Sequence, residues 1–201
     1  MDNKINKFIE IFLLKNKYIN LCGAKDKKTL YEKHIIDSLM LNKFYNFDKD
    51  KKILDIGTGG GFPGIPLAIN NSKNLFFLVD SKRKKIKCIQ EFIKILDLKN
   101  VKAIWDRVED KNFINKYEKY FDVVLARAVS SLENLVKLSL PVLKRGGVMI
   151  FYKGPRVYSE IKDIQNFLDK NKLYIKNIYD YSLETEEKRS LVVISYVKKN
   201  S

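Results

Sequence analysis

Residues 53–64 constrain the fold more than any other stretch. A short apolar run, Ile53-Leu54-Asp55-Ile56, passes directly into Gly57-Thr58-Gly59-Gly60-Gly61-Phe62-Pro63-Gly64. A run of that kind bounded by glycines reads as a buried strand. Glycine lacks a Cβ, so the chain can turn sharply there and let a ligand touch the backbone. A helix is predicted to start near Gly64, offering unpaired N–H groups at its N-terminus. Strand, glycine loop and helix form the first unit of a parallel α/β sheet, with a ligand site at the end of the strand.

The rest of the chain continues the pattern. Short apolar runs at 75–79, 101–105, 121–126 and 147–152 are predicted strands, and periodic segments at 82–97 and 131–143 are predicted helices. Such alternation marks a parallel sheet covered by helices on both faces. Before the sheet, Ile5, Phe8, Ile9, Phe12 and Leu13 recur at helical spacing, and a second set runs through Leu30, Ile35, Leu39 and Met40. The segment 42–52 is polar and aromatic and reads as a connector. After a predicted helix at 157–170, two β-rich runs at 172–182 and 190–198 flank the polar stretch 184–188 and predict a hairpin. The expectation is an α/β, Rossmann-like, seven-stranded, mostly parallel sheet with a C-terminal antiparallel hairpin. Residues 1–50 are expected as an N-terminal helical extension and 51–201 as the main domain, the two forming one compact unit.

The glycines leave more than one ligand open. Gly59, Gly61 and Gly64 satisfy the dinucleotide spacing G-x-G-x-x-G. Asp55 argues against a pyrophosphate there, because its carboxylate would repel one. A carboxylate suits the ammonium and sulfonium of S-adenosylmethionine. Pro63 removes a donor where a phosphate would want one. The second predicted strand ends in Asp80, which either accepts the hydroxyls of an adenosine ribose or caps the helix beginning at Ser81. The terminal hairpin is a feature of class I methyltransferases and unusual in nucleotide dehydrogenases.

Composition narrows the partners. The 201 residues carry 39 Lys and Arg against 24 Asp and Glu, a net charge of +15. That excess favours a polyanionic partner through phosphate neutralisation, although only six of the basic residues are arginine and the Lys, Asn, Ile and Tyr bias is also that of an AT-rich genome. No apolar run approaches the ~20 residues that span a bilayer. The N-terminal segment is amphipathic and charged, unlike a secretory leader, so a cytoplasmic protein is expected. Cys22 and Cys88 are far apart and support neither a disulfide framework nor a zinc site.

Several segments together resemble a known family, the 16S ribosomal RNA guanine-N7 methyltransferases, also called glucose-inhibited division protein B. The motif that carries the resemblance is Asp55-Ile56-Gly57-Thr58-Gly59-Gly60-Gly61-Phe62-Pro63-Gly64-Ile65-Pro66-Leu67. Further matches, in the family's order, are His34-Ile35-Ile36-Asp37-Ser38-Leu39, Asp80-Ser81 with Lys82-Arg83-Lys84-Lys85, Arg107-Val108-Glu109, Ala126-Arg127-Ala128 and Lys153-Gly154. Cys22-Gly23 depart from the family, which continues with threonine after Asn20-Leu21.

The resemblance implies transfer of a methyl group from S-adenosyl-L-methionine to N7 of one guanine, position 527 by family, in 16S rRNA. It implies that Gly57 and Phe62 line the cofactor site, that Val108 and Glu109 border the adenine, and that Arg127 lies at the junction of cofactor and substrate. With Asp55, Gly59, Gly61 and Asp80, these are the candidate cofactor residues. For Glu109 an exposed surface charge is the alternative. Arg127 and Lys153 are the candidate catalytic residues, in positioning roles, Arg127 binding a phosphate or base edge with its planar fork. His34, Lys82, Arg83, Lys84, Lys85 and Lys153 are the candidate RNA contacts. The alternatives are a solvated helix face for 82–85 and a local hydrogen-bonded cluster with Asp37 and Ser38 for His34. No metal is expected, since one histidine has no partners. The expected partner is 16S rRNA, free or within an assembling small subunit, with no membrane.

The acceptor chemistry follows from motifs that are missing. Exocyclic amine methylation uses an Asn/Asp-Pro-Pro-Tyr/Phe turn after the fourth strand, where this chain has Ala126-Arg127-Ala128-Val129-Ser130. Pyrimidine C5 methylation needs an activated cysteine, and neither cysteine is placed for it. Guanine N7 has a free lone pair at neutral pH, so no general base is required. The rival readings are a methyltransferase for another acceptor, a non-catalytic nucleotide or RNA binder, and an NAD enzyme.

Overall fold

The computed structural model describes residues 3–197. Met1, Asp2 and the last position of the second β-rich run, Lys198, lie outside them. Seven strands form one sheet: β1 (Lys52–Ile56), β2 (Leu75–Asp80), β3 (Val101–Trp105), β4 (Phe121–Arg127), β5 (Leu143–Lys153), β6 (Leu173–Ser182) and β7 (Lys188–Tyr196). Their spatial order is β3-β2-β1-β4-β5-β7-β6. The first five are parallel, and β7 runs antiparallel between β5 and β6. The expected seven-stranded sheet with its terminal hairpin is present.

Helices cover both faces. On one lie α1 (Asn3–Asn16), α5 (Gly64–Asn70) and α6 (Arg83–Ile95); on the other lie α7 (Lys111–Lys116), α8 (Leu132–Ser139) and α9 (Val157–Lys170). The central strands are apolar on both sides, as a doubly covered parallel sheet requires. In β1 only Lys52 is not fully buried.

The N-terminal extension packs onto the first face. Ile5, Phe8, Ile9 and Phe12 form the buried stripe of α1. Phe8, Phe12 and Phe62 have ring centroids within 5.2 to 5.7 Å of one another. A Cβ at Gly60 would lie 2.7 Å from the Phe12 ring, so only glycine admits this approach. The second apolar set does not form one regular helix. It divides into α2 (Lys27–Leu30), a π-helical turn (Tyr31–Ile36), α3 (Asp37–Leu39) and α4 (Leu41–Phe44). The extra residue of the π turn lets Leu30 and Ile35, five positions apart, both be fully buried.

Two predicted boundaries move. The helix expected at 131–143 stops at Ser139, because Pro141 cannot supply the N–H that continuation needs. The fifth strand, expected at 147–152, begins at Leu143. There it pairs with Phe121 before a register shift, and Gly146 bends the strand at a φ of +80°. The apolar spacing runs unbroken through this region, so periodicity alone joined two elements.

Candidate functional site: two adjoining cavities at the end of β1 and β4

The strand order reverses between β1 and β4, and the loops leaving these two strands lie side by side. Such a switch point is where open α/β sheets form ligand clefts. Two cavities open there and share Ser130.

The smaller, about 240 Å³, is lined by Gly57, Asp80, Ser81, Asp106, Val108 and Glu109 among others. Gly57 has a φ of +64°, and a Cβ on it would sit 2.7 Å from Val129 Cγ2, so the loop from β4 closes against bare backbone. Asp80 ties the site together. Its Oδ2 accepts from Gly59 N–H at 3.0 Å and its Oδ1 from Lys82 N–H at 2.8 Å. Each oxygen keeps a lone pair for a ligand hydroxyl. The helix starts at Arg83 and not at Ser81; its N-cap position is Lys82, which has no side-chain capping bond, and Asp80 holds the N–H of that residue. Val108 is buried, whereas Glu109 is exposed and pairs with Arg107 at 3.2 Å.

The larger cavity, about 790 Å³, is walled by Lys33, His34, Asp37, Arg127, Tyr152, Lys153, Arg156, Glu160, Glu187 and Arg189, with smaller residues between. Its lining carries five cations, Lys33, Arg127, Lys153, Arg156 and Arg189, against three acids, Asp37, Glu160 and Glu187, and four of the cations sit in ion pairs. Arg127 Nη1 lies 2.9 Å from Asp37 Oδ2, and Nη2 lies 2.9 Å from His34 Nδ1. Because a guanidinium only donates, His34 Nδ1 is the acceptor and the ring proton sits on Nε2. Burial, then the charges of Arg127 and Lys33, pull the His34 imidazole down to about 4. Asp37 Oδ1 accepts from the Tyr181 hydroxyl at 2.6 Å, and burial followed by the Asp37 charge raises that phenol. Lys153 Nζ binds Glu160 at 2.7 Å and the Ser130 carbonyl at 3.0 Å. Lys33 and Arg189 both pair with Glu187. Ala128, next to Arg127 on the cavity wall, holds a left-handed φ of +55°, a sparsely populated conformation that gathers at functional sites.

The candidate residues therefore divide. Gly57, Asp80, Val108 and Glu109 meet at the smaller cavity; His34, Arg127 and Lys153 meet at the larger. Asp55, Gly59, Gly61 and Phe62 line neither. Asp55 is fully buried beneath the loop: Oδ2 accepts from Thr58 Oγ1 at 2.7 Å and Gly64 N–H at 3.0 Å, while Oδ1 has no partner. Burial pushes this carboxyl up to about 7. Its placement is that of a clamp on the loop, outside the lining of either cavity. Phe62 lies under Arg127, 5.2 Å from guanidinium to ring centroid, and its peptide to Pro63 is cis. Lys82, Arg83 and Lys84 are exposed and Lys85 half-buried at the start of α6.

Asp37, Tyr152, Tyr181, Glu160, Glu187 and Arg189 were not among the predicted site residues. Asp37 had a signal, its place beside His34, but the expected cluster differs. Ser38 Oγ donates to the His34 carbonyl at 2.6 Å, and Arg127 stands between the His34 ring and Asp37. The others come from the end of β5, α9 and the terminal hairpin and had no local signature.

Sheet order, glycine loop and the smaller cavity together define the class I methyltransferase fold. TYW2 of P. horikoshii, solved in complex with MeSAdo, superposes with a TM-score of 0.63 at 13% identity, covering 80% of this chain and 61% of that one. The family profile described as GidB, rRNA small subunit methyltransferase G, matches residues 1–192. Among similar proteins, the ribosomal RNA small subunit methyltransferase G of Clostridium tetani is 35% identical over 98% of this chain and 84% of its own length. That of Thermotoga maritima is 37% identical over 95% and 77%. The chain belongs to the GidB family of rRNA small subunit methyltransferases.

Proposed function

We propose that this protein transfers the methyl group of S-adenosyl-L-methionine to N7 of one guanine of 16S rRNA, position 527 by family. The observation that carries the reading is the pair of adjoining cavities, one built for a nucleoside and one walled by residues from both the sheet and the extension, in a chain of this family. S-adenosylmethionine, when bound, supplies an electrophilic methyl carbon on a sulfonium. Asp80 would hold the ribose, Val108 and Glu109 would border the adenine, and Gly57 would let the backbone approach.

The larger cavity would take the base. Guanine N7 needs no proton removed, so the residues here orient the acceptor and exclude water. The purine gains positive charge as the methyl group arrives. Arg127 is neutralised by Asp37 and Lys153 by Glu160, so the two cations present little net repulsion to that charge. Arg127 is held by Asp37, His34 and the Phe62 face, which leaves it a positioning role. His34 Nε2–H is available as a donor to an acceptor on the base or its phosphate. Lys82, Arg83, Lys84 and Lys85 are assigned to the RNA backbone.

The extension 1–50 and the domain 51–201 would act as one unit, because Asp37 and Ser38 are bonded to Arg127, Tyr181 and Tyr152 of the domain. No helix among the described residues is long and apolar enough to cross a membrane. A cytoplasmic enzyme acting on rRNA or an assembling small subunit fits the reading. Digestion of 16S rRNA from a deletion strain tests it: 7-methylguanosine should disappear from one position, and its undiminished presence there would sink the assignment.

A further inference from the structure

The chain has one tryptophan, Trp105, at the end of β3, and it is 56% exposed. An indole so placed contributes little to either core, yet its position is fixed. Its Nε1–H donates to the Ser81 carbonyl at 3.0 Å, and the Arg83 guanidinium lies 5.0 Å over the ring. Arg83 covers one face of the ring, and more than half of the residue is open to solvent. Lys82 and Lys84, the sequence neighbours of Arg83, are exposed as well.

The two nearby acids are engaged on the side of the smaller cavity. Asp80 is bound to two backbone N–H groups, and Asp106 turns into the smaller cavity and accepts from Arg107 N–H at 2.8 Å. Trp105 itself lines neither cavity, so it is not part of the cofactor site. It pairs in register with Asp80 across β2 and β3, which sets the ring one strand away from that site.

We propose that Trp105, framed by Arg83 and its neighbouring lysines, is a stacking platform for one unpaired base of the RNA substrate; this rests on the rRNA reading above. A rigid aromatic ring among cations is the recognised way to hold single-stranded nucleic acid, the ring taking the base and the cations the phosphates. The platform would guide the strand beside the cofactor site while the target guanine occupies the larger cavity.

Because Trp105 is the sole tryptophan, its emission reports on this spot alone. The full chain is titrated with a short oligoadenylate at low salt, following indole emission together with anisotropy of labelled RNA. RNA should quench the emission, and S-adenosylhomocysteine should leave it unchanged. Trp105→Ala should weaken RNA binding roughly 5- to 100-fold, with Trp105→Phe retaining most of it and both keeping wild-type affinity for S-adenosylhomocysteine. RNA binding seen by anisotropy with constant emission overturns the platform alone. So does a response to S-adenosylhomocysteine by itself, or a response only to RNA-free small-subunit proteins. No RNA binding and no methylation by the wild type overturns the rRNA reading and the platform with it.

Discussion

Arg127 and Asp37 form an ion pair 90 residues apart in sequence that joins the end of β4 to the helical extension, Nη1 to Oδ2 at 2.9 Å. Only 13% of the Arg127 side chain and 4% of the Asp37 side chain reach solvent, so the pair lies in the regime where removing one partner strands the other. Asp37→Ala should cost about 3–5 kcal/mol in urea unfolding. Asp37→Asn keeps an acceptor for Tyr181 and should cost less. Equal losses in the two variants would mean that charge plays no part.

His34 has a folded-state value of about 4 against 6.5 when free, so the unfolded chain binds the extra proton between those limits. The contribution of His34 to stability is therefore complete above about pH 6.5 and is lost as pH falls toward 4. His34→Gln should flatten that part of the stability curve. Denaturant midpoints of the two proteins at pH 7.5, 6 and 4.5 check it, and the gap between them should narrow at the acid end.

Asp55 acts in the opposite sense. Its carboxyl is raised from 3.8 to about 7 by burial, so the folded state holds the proton and the stabilisation is complete below about pH 4. It declines as pH rises through 7. Asp55→Asn should gain in stability relative to the wild type between pH 5 and 8, measured by thermal melts. A constant difference across that range would show that Asp55 does not titrate there.

Asp80 holds two backbone N–H groups in addition to its assigned ribose. Asp80→Ala should raise the Kd for S-adenosylhomocysteine about 10- to 100-fold, from the loss of charge-assisted hydrogen bonds. Glu109→Ala should change it only a few-fold, because Glu109 is exposed and pairs with Arg107. Calorimetry on the two variants reads both, and a reversed order would move the ribose site away from Asp80.

Gly57→Ala combines a left-handed φ with a Cβ 2.7 Å from Val129 Cγ2. It should cost about 1–3 kcal/mol and weaken cofactor binding, with Val129→Ala restoring part of the loss in the double variant. No rescue would leave backbone strain as the whole effect.

Much of the architecture was readable before any coordinates. The glycine loop, the strand–helix alternation and the hairpin all rest on local requirements: apolar spacing and a φ that only glycine holds easily. The same locality explains what was misplaced. Apolar spacing runs through 132–143 without a break, and only Pro141 separates α8 from β5. The π turn at Tyr31–Ile36 appears in sequence only as a five-residue spacing between Leu30 and Ile35.

The site divides along the same line. The sequence alone determined the class of fold, the position of the ligand loop after β1, and the family through the run 55–67. Tertiary structure decided which side chains share a cavity. The Tyr181–Asp37 and Arg127–His34 contacts span 144 and 93 residues, and no local period encodes them. It also gave Asp55 its place beneath the loop that the family motif names, since strand residues alternate between faces and burial by the neighbouring strands and helices decides what each face meets. Residues 53–64 determine that a strand runs into a glycine loop beside the smaller cavity, and packing against the extension and the hairpin builds the second cavity beside it.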